Sequence, residues 1–305
     1  MIRIPMQHLV DTNNFSDAQI EQLLQDAKNF KAHRPPQLLH DKLLITLFFE
    51  ASTRTRSSFE VAAKRLGAAV VHLDPSRSSA KKGESLEDTF ANLCAMEPDG
   101  IIVRHSENAT PQLLADMQTS PVINAGAGNY AHPTQALLDL FTMVEHFGGD
   151  LHTIKGKTIA IVGDIVSSRV ASSGIRLLTR MGMNVLLVAP EQFMPESLSI
   201  EQALPQYKDL EDVMDKVDVI MSLRAQLERH EKELFEDYDD YASQYCITKE
   251  RMQDRDILLL HPGPVMRNID ISDEMLDDPR CKVLTQVKNG VFMRMAILKL
   301  LLLDS

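Results

Sequence analysis

Short apolar runs rich in valine, isoleucine and leucine alternate along this chain with stretches of helical periodicity, and that alternation decides the fold class. Strand-like runs occupy residues 43–49, 69–73, 100–103 and 121–124, then 158–162, 184–188, 218–221 and 256–260. Helical patterns cover residues 17–30, 85–94, 134–147, 171–181 and 288–303. Strands that alternate with helices predict α/β units and parallel sheets. The strand candidates fall evenly on either side of the helix starting at Thr134, and 305 residues suffice for two cores. The expected fold is therefore α/β, with two doubly wound parallel-sheet domains facing a cleft. The domains are residues 1–133 and 134–287, and the apolar C-terminal helix 288–305 packs back on the first.

Composition narrows the partners. A formal net charge of −11 argues against nucleic acid or an anionic membrane, although a cleft can still focus positive potential locally. No apolar run reaches the roughly 20 residues that span a bilayer. The opening Met1-Ile2-Arg3-Ile4-Pro5 has no apolar core of the signal-peptide kind. Cys94, Cys246 and Cys281 form no CxxC pair, so they read as reduced packing residues in a cytoplasmic protein. No HExxH, paired-cysteine or clustered acidic signature occurs, so neither a metal nor another cofactor is expected. No nucleophile elbow is visible either.

In doubly wound sheets, ligands bind outside the carboxyl ends of the strands. Polar residues collect at those ends here: Ser52 to Thr55, Arg104-His105, residues 124–135, Asp164 to Arg169, Arg224 with Gln226, and His261-Pro262-Gly263-Pro264. The richest is Ser52-Thr53-Arg54-Thr55-Arg56, where a buried strand feeds a helix whose Phe59, Ala62, Ala63 and Leu66 share one face. Ser52 and Thr53 are helix-capping types. Free amides, macrodipole, hydroxyls and a guanidinium fork together suit a phosphate or carboxylate. The plain alternative is a capped helix with solvated arginines. The glycines and terminal Gly-Lys-Ser/Thr of a Walker loop are absent.

Other candidates carry similar pairs of readings. Residues 76–85 form either a surface loop or a lid that brings Lys82 to an anion. Arg104 ends a buried strand, as half of an ion pair or as a ligand. Pro133 and Thr134 suit a helix start, whereas His132 and Gln135 could polarise a carbonyl and bond an amide. Gly163-Asp164-Ile165-Val166-Ser167-Ser168 lacks the GxGxxG of a dinucleotide site. Arg169 and Arg224, with Gln226, suit a dicarboxylate, one guanidinium per carboxylate. His261-Pro262-Gly263-Pro264 is a rigid turn whose carbonyls could accept from an amide NH₂.

Taken in order, these segments resemble the aspartate carbamoyltransferase catalytic-chain family. The resemblance rests on Ser52-Thr53-Arg54-Thr55-Arg56, Lys82-Gly83-Glu84-Ser85, Arg104-His105, His132-Pro133-Thr134-Gln135, Arg169, Arg224-Ala225-Gln226 and His261-Pro262-Gly263-Pro264. The related ornithine enzymes share the first segment. They usually carry His-Cys-Leu-Pro where this chain has His261-Pro262-Gly263-Pro264, and they lack the serine- and lysine-rich loop before Gly83.

The resemblance implies transfer of a carbamoyl group from carbamoyl phosphate to the amine of L-aspartate, in de novo pyrimidine biosynthesis. It implies that Ser52, Thr53, Arg54 and Thr55 hold the phosphate, bridged by Arg104. Thr55, Arg104 and His132 would polarise the carbamoyl carbonyl, while Gln135 and the Pro262 and Gly263 carbonyls fix its NH₂. Arg169, Arg224 and Gln226 would bind aspartate. Ser78 (or its neighbour Ser79) and Lys82 would arrive from an adjacent subunit of a homotrimer. Regulatory chains are left open. The rival readings are a transcarbamoylase with another acceptor such as ornithine, and a binding protein that retains the anion site without the chemistry.

Overall fold

The computed structural model describes residues 8–73, 85–117, 120–195, 203–227, 235 and 237–303. The chain forms two compact units, Met1–Phe141 with Val287–Ser305, and Thr142–Gln286. The division falls inside the helix Pro133–His146 rather than at its start.

The first unit contains α1 (Asp17–Ala32), β1 (Leu43–Phe48), α2 (Thr53–Arg65), β2 (Ala69–Leu73), α3 (Leu86–Cys94), β3 (Gly100–His105), α4 (Thr110–Met117), β4 (Val122–Ala127) and the start of α5 (Pro133–His146). Its four strands run in the order β2-β1-β3-β4, and all pairs are parallel. Ile45 and Leu47 of β1, Ile101 and Val103 of β3 and Val122 of β4 share a face because strand side chains alternate. That face packs on Phe90 and Leu93 of α3 and Leu114 and Ala115 of α4.

Elsewhere in this unit the chain's last helix closes the core. In α10 (Val283–Leu303), Met293, Met295, Ala296, Ile297, Leu298 and Leu301 are all fully buried. A Cβ on Gly100 would lie 3.0 Å from Leu44 and 3.1 Å from Leu302, so the helix rests where β3 has no side chain. Lys299 Nζ bridges both Asp26 oxygens of α1 at 2.9 Å, and Lys31 Nζ reaches Asn289 at 2.9 Å. The expected return of the C-terminal helix to the first unit is thus observed.

The second unit contains β5 (Thr158–Val162), α6 (Arg169–Arg180), β6 (Asn184–Val188), β7 (Gln206–Tyr207), β8 (Val219–Ser222), α7 (Tyr238–Tyr245), α8 (Lys249–Met252), β9 (Leu258–Leu260) and α9 (Asp273–Leu276). Its order is β7-β6-β5-β8-β9, again all parallel. Each strand expected from the sequence is present within a few residues. Two ends differ: Arg104 and His105 belong to β3 itself, and β4 continues to Ala127. The two-residue β7 and the short helices α4, α7, α8 and α9 were not anticipated.

In both sheets the chain moves outward from a central strand and then jumps to that strand's other side. The order therefore reverses between β1 and β3, and again between β5 and β8. Those reversal points are where an open parallel sheet parts its loops and leaves room for a ligand.

Candidate active site

In the first unit, Ser52 occupies the N-cap position of α2 but its side chain makes no capping hydrogen bond. This is unusual within the molecule. Ser16, Ser85, Ser168, Asp237, Thr248 and Ser272 each accept from a backbone amide at the start of their helices. The first turn of α2 holds no acidic residue and carries Arg54 and Arg56, both exposed, with Thr55 buried. The sequence suggested capping by Ser52; the structure instead keeps its hydroxyl out of that role. An uncapped N-terminus presents amide donors and the positive end of the dipole, flanked here by cations.

Arg104 sits next door, because β3 pairs with β1 in a register that sets Phe48 opposite Arg104. Its side chain is 15% exposed, and Nε donates to Glu50 at 3.3 Å while a terminal nitrogen donates to the Ala125 carbonyl at 3.4 Å. The ion pair weighed from the sequence is therefore present. It also fixes the guanidinium at the β1/β3 reversal point.

His132 precedes α5 and is buried, and its carbonyl accepts from the Gln135 and Ala136 amides at 3.0 and 3.2 Å. Pro133 takes the first helical position, where its missing N–H has no consequence. Buried Gln135 donates from Nε2 to Asp139 at 2.9 Å. A carboxylate only accepts, so this bond fixes the amide and leaves Oε1 as its acceptor end. Thr134, a capping candidate by sequence, lies inside the helix and 3.5 Å from Arg294.

Arg294 was missed by the sequence reading. It lies on α10, almost fully buried, donates to Ser58 at 3.0 Å and to Gly290 at 3.1 Å, and stands 5.1 Å from the Phe59 ring centroid. Burial pulls its pKa down to about 10, opposed by nearby Asp139. It thus ties the second turn of α2 to the start of α5. Only spacing could have hinted at any of this: Gln135 and Asp139 are four apart on one helix face.

In the second unit, Gly163 follows β5 with φ +113°, and a Cβ there would come within 2.9 Å of the Leu223 carbonyl and the Tyr241 hydroxyl. The glycine serves close packing of the strand ends rather than a dinucleotide turn. Asp164 is buried and accepts from the Ser167 amide at 3.2 Å. Ser168 caps α6, whose first residue is Arg169. Across the β5/β8 reversal, Arg224 and Gln226 follow β8 and are half-buried. Pro262 and Gly263 follow β9, the neighbour of β8, and the Gly263–Pro264 peptide is cis.

The candidates thus gather on one edge of each sheet. Ser52 to Thr55, Arg104, His132 and Gln135 belong to the first; Arg169, Arg224, Gln226, Pro262 and Gly263 belong to the second. Ser78, Ser79 and Lys82 lie outside the described residues. Among the described residues no group of three or more His, Cys, Asp or Glu could hold a metal ion, and no helix is long and apolar enough to cross a membrane.

Known proteins match this arrangement. The family model of the aspartate/ornithine carbamoyltransferase carbamoyl-P binding domain matches residues 7–145, and that of the Asp/Orn binding domain matches residues 155–301. The aspartate carbamoyltransferase catalytic subunit of Sulfurovum sp. (strain NBC37-1) is 81% identical over 300 residues, covering 98% of this chain and 99% of that one. The catalytic subunit of M. jannaschii aspartate transcarbamoylase superposes with a TM-score of 0.86 at 32% identity, covering 98% and 99% of the two chains. Aspartate transcarbamoylase from Trypanosoma cruzi in complex with carbamoyl aspartate and phosphate gives 0.83 at 32% identity, covering 98% of each. Two parallel sheets with polar residues at their strand ends, and matches across both halves of the chain, lead to one statement: the chain belongs to the aspartate/ornithine carbamoyltransferase family.

Proposed function

We propose that this protein transfers the carbamoyl group of carbamoyl phosphate to the amino group of L-aspartate, giving N-carbamoyl-L-aspartate and phosphate. The observation that carries the reading is the uncapped, arginine-flanked start of α2 at the β1/β3 reversal, in a chain 81% identical to an aspartate carbamoyltransferase catalytic subunit. The T. cruzi relative, described with carbamoyl aspartate and phosphate, favours aspartate over ornithine as acceptor.

In this reading Ser52, Thr53, Arg54 and Thr55 hold the phosphate and Arg104 bridges it. Thr55, Arg104 and His132 stabilise the oxyanion that forms when the amine attacks the carbamoyl carbon. Gln135, turned by Asp139 so that Oε1 accepts, orients the carbamoyl NH₂ together with the Pro262 and Gly263 carbonyls. Arg169, Arg224 and Gln226 take the two carboxylates of aspartate. Preorganised donors and charge neutralisation of the leaving group supply the rate, and no covalent intermediate is needed. The departing phosphate is the proposed proton acceptor.

Ser78 and Lys82 are assigned to a neighbouring chain, which makes the working unit a homotrimer, in the cytoplasm and as part of pyrimidine biosynthesis. Regulatory chains remain outside the reading.

The deciding experiment supplies purified protein and carbamoyl phosphate with either L-aspartate or L-ornithine, without added metal, and quantifies carbamoylated product. Product with aspartate alone is expected. Product with ornithine alone would replace the acceptor assignment, and product with neither would defeat the reading. Light scattering on the same sample should return three times the chain mass; a monomer that transfers at full rate would remove the shared-site assignment.

A further inference from the structure

We infer that Asp270 is a positioning residue for the acceptor half of the site, setting two loops at once through one buried carboxylate. Its side chain is fully buried. Oδ2 accepts from His261 Nε2 at 3.1 Å and from the Met266 amide at 2.8 Å. Oδ1 accepts from the Ala225 amide at 3.2 Å. Ala225 stands between Arg224 and Gln226, and His261 stands immediately before Pro262 and Gly263. One carboxylate therefore fixes both segments that carry the proposed aspartate and carbamoyl contacts of this unit.

The backbone of Asp270 is welded in as well. Its carbonyl accepts from the Ile247 amide at 3.0 Å and lies 3.4 Å from the Ser222 hydroxyl at the end of β8. The position of the carboxylate is thus set by the core.

The proton on His261 follows from the same contacts. The Gly263 amide donates to Nδ1 at 2.9 Å, so Nδ1 is an acceptor and the ring proton sits on Nε2, facing Asp270. The chain of bonds runs from the carboxylate through the imidazole to the Gly263 amide, and so to the turn whose carbonyls face the carbamoyl group in the proposed reading. All three donors to Asp270 are satisfied only by a group that accepts at both oxygens. A buried network of this kind tolerates no donor in its centre.

The inference rests on the proposed function, and the test separates the two. Asp270→Asn keeps the side-chain volume but converts one acceptor into an NH₂ that must face a donor. The expected result is a KM for aspartate raised tenfold or more, with the affinity for inorganic phosphate, assigned to the first unit, within twofold of wild type. An unchanged aspartate KM, or equal losses for aspartate and phosphate, would overturn the positioning role. Should the variant not fold, ¹⁵N spectra of the wild-type His261 ring decide: protonated Nε2 with bare Nδ1 is expected, and a protonated Nδ1 overturns the inference. Failure of the wild-type protein itself to carbamoylate aspartate would instead defeat the functional reading, which the ring spectrum does not touch.

Discussion

The two units solve one problem identically and another in opposite ways. At the amino ends of the strands, Lys42 and Asp99 form a salt bridge at 3.0 Å while the Leu43 amide donates to the other Asp99 oxygen at 2.8 Å. In the second unit Lys157 meets Asp218 at 2.7 Å, and the Thr158 amide donates to it at 2.8 Å. In each case the lysine immediately precedes the central strand, and the aspartate immediately precedes the strand beyond the reversal. At the carboxyl ends the likeness stops. Ser52 leaves the α2 start open, whereas Ser168 accepts from the Ala171 amide at 3.2 Å and closes α6. An open start attracts an anion through main-chain donors; a closed one leaves anion binding, in the proposed reading, to the side-chain forks of Arg169 and Arg224. The fold repeats at the edge that holds the sheet together, and it diverges at the edge to which the proposed function assigns the ligands.

The sharpest way to break that contrast is to remove one arginine from each carboxyl edge. Arg54→Ala should lower kcat by about 10²–10³, as loss of a preorganised donor does, with the melting temperature unchanged because the side chain is exposed. Arg224→Ala should mainly raise the KM for aspartate while leaving phosphate affinity alone. Steady-state kinetics that showed the same pattern for both variants would erase the division of labour between the units.

The amino edge should behave in the opposite way. Asp99→Ala and Asp218→Ala should each destabilise by about 1–3 kcal/mol, since each strips a lysine and a strand amide of their acceptor. Both should leave the KM values within twofold. Urea melts in which one aspartate mattered far more than the other would show that the two staples are alike only in geometry.

The smallest effect distinguishes the two serines. Ser168→Ala should cost about 1 kcal/mol of stability, the usual worth of a helix cap, with little loss of turnover. Ser52→Ala should leave thermal stability within experimental error and weaken phosphate binding instead. Reversed outcomes would mean that Ser52 caps α2 after all.

The sheets were legible because most of their strands are runs of apolar residues, such as Ile101 to Val103 and Ile159 to Val162, whose burial on both faces leaves a continuous signature. β7 was not, because two residues paired at the sheet edge carry no period. The α2 start was legible for a related reason: strand, turn, hydroxyls and arginines are contiguous in sequence. That Ser52 withholds its side chain from the cap was invisible, since sequence shows which residues are able to cap and not which do. Asp270 was hidden more deeply. Its partners lie four, nine and 45 residues away, on the loop after β9 and the loop after β8, which only the packed sheet brings together. Arg294 met the same obstacle, reaching Ser58 across 236 residues.

The return of α10 to the first unit also orders events in time. The second unit is a continuous stretch, Thr142–Gln286, whereas the first needs both Met1–Phe141 and Val287–Ser305. In chain order, everything the second unit requires precedes the stretch that supplies Met293, Ile297 and Leu301 to the interior of the first. The nascent first unit therefore waits with that surface uncovered, and the half that begins first is the half that finishes last.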